Sequence, residues 1–349
     1  MEKQKTTLKQ IAERTGVSIG TVHRAIYGKA GVGEKTRKLI LEEVERSNYS
    51  VDAVASMLKR KQPTIAVVLP EERGEDQYYF RGVWRGINEA AKRLKLYKVN
   101  FLFFEHSHSL DEIALALKEL YDSEIDRIDG LITVADNLES GEWVARFSRR
   151  DIPVILISSY EQDTKCLSSI KVDHRICGQM AAEFFAVAIP SKTGKILLLS
   201  GHSEIYSNSI YASAFEGHIK NNFPAFEVVK VEGFGGARVA EKINSLLDAH
   251  QFRGVFACNA RNTFLMCKAI AQRKDKNDII FVGTDAFHEL APYFQDGTIT
   301  ATVYQSHREQ GERAVTMMHE YLTANRFITV SDELPVTLLL KSNFHFFAS

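Results

Sequence analysis

Before residue 50 the apolar side chains recur at helical spacing; after residue 63 they gather into short unbroken runs separated by amphipathic segments. That change of period marks two kinds of structure. Thr7-Leu8-Lys9-Gln10 reads as a helix start, with a Thr oxygen placed to accept an orphan amide and a Gln three residues on to return the bond. The spacing predicts a first helix to about Arg14, with Leu8, Ile11 and Ala12 on its inner face. Gly16 then allows a sharp turn, and Val17 returns to the core. Ser18 caps a second helix in which Val22 and Ile26 point inward, leaving Ile19, Gly20, Thr21, His23 and Arg24 outward. A third helix, about Glu34 to Arg46, offers Leu39, Ile40 and Val44 to the core and Lys35, Arg37 and Lys38 to solvent or phosphate. This is helix-turn-helix spacing, and the outward residues of the second helix are those a major groove would meet.

Lys59-Arg60-Lys61-Gln62-Pro63 is a polar, basic stretch ended by proline, and the apolar run Thr64–Leu69 follows it directly, so a domain boundary is expected there. Further strands are predicted near Asn100–Phe104, Gly130–Val134, Val154–Ile157, Lys195–Leu199, Val228–Val231, Val255–Ala257, Ile279–Val282 and Ala301–Val303, most of them separated by helices. Continuous apolar strands imply burial on both faces, hence parallel sheets with right-handed crossovers. The expected fold is therefore an all-α head joined to an α/β body of two Rossmann-like lobes.

At 349 residues the chain exceeds one ordinary domain of about 100–200 residues. With 45% hydrophobic and 25% charged residues it has a globular composition, and no stretch approaches the roughly 18 apolar residues that span a bilayer. The opening Met1-Glu2-Lys3-Gln4-Lys5 is charged and leads into a periodic segment without an apolar h-region, so a cytoplasmic location is expected. Formal charge is zero but segregated: residues 1–61 carry thirteen Lys/Arg against seven Asp/Glu, a surplus that suits attraction to phosphates. Cys166, Cys177, Cys258 and Cys267 form neither a Cys-x-x-Cys pair nor a zinc spacing and read as small buried hydrophobes in a reducing compartment; no metal or cofactor is implied.

In the head, Thr7–Ala12, Gly16-Val17-Ser18, Thr21–Ile26 and Lys35-Thr36-Arg37 closely resemble the LacI family of repressors. The resemblance implies a double-stranded DNA operator as partner and a DNA-binding set of Thr7, Ser18, Ile19, Gly20, Thr21, His23, Arg24 and Leu58. Asn48-Tyr49 and Ala53–Leu58 look like the family's hinge, with Leu58 in the place of the leucine that wedges into the minor groove. This sequence departs from the pattern at several points. Ile19 and Gly20 cannot hydrogen-bond base edges, His23 replaces a small residue, and Val51 replaces the usual proline, so the operator differs from familiar ones. Arg24 is able to pair bidentately with guanine.

The body resembles a type I periplasmic-binding-protein fold through Tyr79-Phe80, Arg85-Gly86-Ile87, Asp129–Ile132, Val172-Asp173 with Gly178, Asn259, Gly283-Thr284-Asp285, and Gly297 through Gln305 with Gly311. The resemblance implies crossings between lobes near Asp173, Thr302 and Val330. The expected domains are a head at 1–50, a hinge and linker at 51–63, and a sensor at 64–349, with lobe 1 about 64–173 and 303–330 and lobe 2 about 174–302 and 331–349. Open α/β sheets bind ligands beyond the carboxyl ends of their strands, which selects Tyr79, Phe80, Asn259, Asp285 and Gln305, with Tyr211 added, as the effector set. Aromatics with a carboxylate and amides suit a sugar or sugar-like ligand. Tyr79 and Phe80 also read as core, and Asp285 and Asn259 as helix caps. Tyr211 stands where the family often has arginine and Ala260 where it has aspartate, so an expected cation and carboxylate are missing; Tyr211 and Phe234 would favour a larger or more aromatic ligand, or one without an anionic group.

Enzymatic function is not expected, since no nucleophile elbow, Walker loop or dinucleotide fingerprint appears and His106-Ser107-His108 lacks partners for a metal. The reading is a ligand-responsive regulator, most simply a homodimer on a two-fold operator. The alternatives are a regulator that has lost small-molecule sensing, or a transporter's solute-binding protein.

Overall fold

A computed structural model describes residues 8–26, 31–47, 62–74, 76–94, 99–104, 112–158, 166–324 and 331–348. The contacts divide the chain into a head and a body, each described by itself. Thr7, the hinge with Leu58, His106-Ser107-His108 and the side chains of Leu8, His23 and Ile26 lie outside the described residues.

The head has three helices: α1 Leu8–Thr15, α2 Ile19–Ile26 and α3 Glu34–Arg46. Between α1 and α2, Gly16 takes φ +69°, a left-handed turn costly for a residue with a Cβ. The turn lets the Val17 amide reach the Ala12 carbonyl at 3.1 Å, and Ser18 Oγ then accepts the Thr21 amide at 3.1 Å. Ile11, Ala12, Val22, Ala25 and Ile40 form the core. Leu39 does not join them and is 50% exposed. The inward stripe of α3 runs through Ile40, Glu43 and Val44, and one residue back from Ile40 lies about 100° around the helix. Arg37, expected to face solvent or phosphate, donates to the Ala25 carbonyl at 3.2 Å and ties α3 to α2. Buried Glu43 is held by Arg14 at 3.1 Å and Arg46 at 2.6 Å.

The body contains two six-stranded sheets of matching order. The first runs β11-β5-β4-β3-β1-β2, all parallel, and the second β12-β10-β9-β8-β6-β7, with β12 alone antiparallel. The first-sheet strands are β1 Thr64–Val68, β2 Asn100–Phe104, β3 Gly130–Thr133, β4 Val154–Ile157, β5 Ser168–Val172 and β11 Ser331–Leu334. The second-sheet strands are β6 Gly194–Leu199, β7 Phe226–Val231, β8 Phe252–Ala257, β9 Ile280–Thr284, β10 Ala301–Tyr304 and β12 Thr337–Leu340. Helices α4 Gln77–Leu94, α5 Ile113–Glu124, α6 Leu138–Arg149 and α12 His307–Ala324 belong to lobe 1. Lobe 2 carries α7 His174–Ala188, α8 Tyr206–Asn222, α9 Ala237–Ala249, α10 Ala260–Ala271 and the short α11 Ala291–Gln295.

The central strands are the unbroken apolar runs, buried on both faces. The chain passes between lobes after Val172, after Tyr304 and after Leu334. The last two passages therefore fall beyond the expected Thr302 and Val330: Val303 still pairs with Thr284 in the second sheet, and Ser331 with Ser169 in the first.

Within lobe 1, α4 and α12 cross at backbone contact. A Cβ on Gly86 would lie 2.0 Å from the Arg308 carbonyl oxygen, and one on Gly311 would lie 2.1 Å from that of Val83. Neither neighbour is a flexible side chain, so added volume must push the helices apart. Gly86→Ala should cost at least about 1–3 kcal/mol, read as a lowered urea midpoint at unchanged m value. An unshifted midpoint would mean that this crossing is not tight.

Candidate ligand cleft

The carboxyl ends of both sheets open onto one cleft between the lobes. All six residues expected at an effector site, Tyr79, Phe80, Tyr211, Asn259, Asp285 and Gln305, line it. They do so to different depths. Phe80 is 3% exposed and belongs mainly to the lobe 1 core, edge-on to Tyr79 at 5.0 Å. Tyr211 is buried at the floor against Phe256 at 5.4 Å. The Tyr79 hydroxyl is buried without a hydrogen bond of ordinary geometry, and burial pushes its phenol pKa up.

Asn259 does cap α10, its Oδ1 accepting the Asn262 amide at 2.9 Å, yet its buried Nδ2 has no partner and remains a donor for the cleft. Asp285 is not a cap: the short helix after it begins from Phe287. Instead Asp285 sits at φ +69°, 1% exposed, and accepts Gln305 Nε2 at 3.1 and 3.2 Å and the Gln305 amide at 3.3 Å. Gln305 in turn accepts from His174, whose burial lowers its pKa to about 4 and leaves it neutral. Ser158, another lining residue, shares the left-handed conformation at φ +54°. Such strained residues persist where the surroundings over-determine them, often at functional sites.

Sequence reasoning missed further polar residues here, among them Asp76, Asp136, His174 and Arg261. Asp136, just beyond β3, reaches across to the start of α8, where its Oδ1 accepts the Ser207 amide at 3.2 Å and its Oδ2 the Ser207 hydroxyl. Arg261, in the first turn of α10, pairs with Asp76 of lobe 1 at 3.6 Å and lies 4.8 Å over the Phe234 ring. His174 also lines the cleft. The expected loss of a cation and a carboxylate from the cleft is thus corrected, because Arg261 and Asp136 supply both from neighbouring positions. Nearby, Arg81 pairs with Glu289 at 3.0 Å, and Tyr78 packs on Phe287 at 4.6 Å and Phe264 at 5.0 Å, so the N-terminal end of α4 is docked on lobe 2.

In the head, Ser18, Ile19, Gly20 and Arg24 are exposed and Thr21 half-buried. Ser18 hydrogen-bonds Thr21, and Ile19 is 49% exposed, apolar surface available to a thymine methyl. Cys177, Cys258 and Cys267 are buried free thiols and Cys166 is half-buried.

The head presents an exposed second helix on a three-helix unit, and the body is a two-lobed α/β fold with a polar and aromatic cleft at its sheet ends. The chain belongs to the periplasmic binding protein domain family, whose model matches residues 65–326, and its head is matched over residues 7–52 by the model of the bacterial regulatory proteins of the lacI family. It is 30% identical over 181 residues to catabolite control protein A of Streptococcus mutans, covering 52% of this chain and 51% of the relative, so the chain spans about half of that relative's length. The HTH-type transcriptional repressor PurR of Pasteurella multocida is 25% identical over 333 residues, 90% of this chain and 91% of the repressor. The body also shares the fold of GanP, a glucose-galactose binding protein from Geobacillus stearothermophilus, with TM-score 0.71 and 23% identity over 81% of this chain and 99% of that one. The LacI match over the head separates this chain from solute-binding proteins that share the body alone.

The two buried carboxyls give the body a pH signature. Burial raises the pKa of Asp136 and of Asp285 to about 7, against the ~3.9 of an unfolded chain. Between those limits the folded state holds protons that the unfolded state has released, so the stability these groups contribute is lost as pH rises through about 7. Urea unfolding at pH 5 and pH 7.5 should show a larger loss in the wild type than in an Asp136→Asn/Asp285→Asn variant; parallel losses would contradict it.

Proposed function

We propose that this chain is a homodimeric, cytoplasmic transcription regulator, most simply a repressor of carbohydrate or related metabolite genes. Its head reads an operator through Ser18, Ile19, Gly20, Thr21, His23 and Arg24, with Thr7 and the minor-groove wedge Leu58 beside them. The body takes a sugar or sugar-like effector on Tyr79, Phe80, Tyr211, Asn259, Asp285 and Gln305. The observation that carries the sensor reading is the convergence, from both lobes, of aromatic faces, the two buried carboxyls of Asp136 and Asp285 and the unpaired Asn259 Nδ2 on one cleft. Hydroxyls of a polyol donate to carboxylates and accept from amides, while its C–H face packs on aromatic rings. GanP, which shares the fold, is a glucose-galactose binding protein, and this supports the same ligand class here.

A two-fold operator needs two heads, which favours the dimer. Effector-driven adjustment of the lobes would alter the spacing of the two hinges and so the operator affinity. The regulatory family, together with the polar rather than catalytic character of the cleft, supports sensing over catalysis.

Arg24→Ala should lower affinity for a duplex selected from a random pool by about 5–150-fold, the equivalent of a bidentate guanine contact of about 1–3 kcal/mol. Fluorescence anisotropy measures this, and an unchanged affinity would remove Arg24 from the reading set. For the cleft, a sugar at a hundred times its Kd should stabilise the protein by about 2.7 kcal/mol in thermal unfolding. Asp285→Asn should abolish most of that gain; a broad sugar and metabolite panel without any shift would refute sensing.

A further inference from the structure

The charges lining the cleft do not balance in the way an anionic ligand requires. Among the described lining residues Arg261 is the only Lys or Arg, against the carboxyls of Asp76, Asp136 and Asp285. Its guanidinium is already engaged. Asp76, whose side chain is 11% exposed, lies 3.6 Å from Nη1, and the Phe234 ring lies 4.8 Å beneath Cζ. The other two carboxyls have polar partners but no cationic ones: Asp136 is held by Ser207, and Asp285 by Gln305. His174, the imidazole lining the cleft, is fully buried and donates to Gln305 in its neutral form.

A phosphate or carboxylate entering this space would lose its water and find the one nearby cation already paired with Asp76, with no other Lys or Arg among the described lining residues to replace it. In a low-dielectric cleft an anion without a cation of its own is strongly unfavourable. The unspent capacity is of another kind. Asn259 Nδ2 has a proton to give, the Tyr79 hydroxyl is buried beside Ser158 and Gln310 without a hydrogen bond of ordinary geometry, and the carboxyl of Asp136 keeps lone pairs beyond its two bonds to Ser207. Tyr78, Tyr79 and Phe234 offer ring surface.

On the sensor reading above, we infer that the effector is an uncharged cyclic polyol, bearing neither phosphate nor carboxylate, and that the Asp76–Arg261 pair enforces this choice. The pair is a negative filter: it holds the guanidinium away from duty as an anion site while keeping the charge needed beside Asp76.

Isothermal titration of the full-length protein tests this with matched probes: D-glucose, D-galactose, D-ribose and adenosine against glucose 6-phosphate, D-glucuronate, D-galacturonate, ribose 5-phosphate and adenosine 5′-monophosphate. At least one neutral compound should bind, and its anionic counterparts should bind at least tenfold more weakly. An anionic counterpart binding as tightly or more tightly overturns the inference and leaves the sensor reading intact. A panel in which nothing binds refutes the sensor reading and the inference with it. In Asp76→Asn, checked for folding by its melting temperature, the released guanidinium should narrow the neutral-over-anionic ratio by at least threefold; an unmoved ratio overturns the filter.

Discussion

A buried carboxyl without a cation beside it governs the body of this protein. Asp285 is nearly inaccessible, sits in left-handed backbone, and is held only by the side chain and amide of Gln305. Gln305 opens the second passage between lobes and His174 follows the first, so the chain His174–Gln305–Asp285 fastens two crossing strands at the floor of the cleft. Every member of such a network has to be satisfied, because low dielectric strengthens the bonds made and penalises those missing. A hydrophobic trio would fill the space at lower cost. A strained, protonatable acid at the mouth of two sheets is the kind of residue that perturbed functional sites carry, and it is what supports the proposed effector site.

The walls above that floor are joined by contacts of modest strength. Asp136 reaches the N-terminal turn of α8, Arg81 pairs with Glu289, and Tyr78 enters an aromatic group on the other lobe. Half-exposed ion pairs contribute little each, typically below about 1 kcal/mol. A lobe arrangement set by several such contacts lies within reach of a ligand that binds one arrangement better than another. Rigid lobes and weak seams are the combination a sensor needs. The tight crossing at Gly86 and Gly311 locks α4 to α12 within lobe 1.

Much of this was legible in the sequence, for reasons that can be named. Capping residues and Gly16 located the head's helices because local hydrogen bonds and a left-handed turn leave few other choices. Leu39 misled because an apolar residue beside the inward stripe looks the same in sequence as one within it. The after-strand rule found Asn259, Asp285 and Gln305, and it would equally have found Asp136, three residues past the end of β3. Arg261 was hidden by attention to Ala260, its neighbour. The β5 strand, Ser168–Val172, escaped because its buried serines break the apolar run, and β11 and β12 because they close the sheet edges and lack a continuous core pattern. Which lobe a segment serves near a crossing depends on pairing register, which no single strand's composition encodes.

The central claim is that occupancy of the cleft and operator binding by the head are one coupled equilibrium. Anisotropy titration of a selected duplex, with and without a saturating cleft ligand, in wild type and in Asp285→Asn, tests it most directly. The account predicts that the ligand changes the wild-type Kd for the duplex by about 5–150-fold, and leaves that of Asp285→Asn unchanged. Identical duplex affinity with and without ligand in the wild type, or an equal response in both proteins, would contradict it.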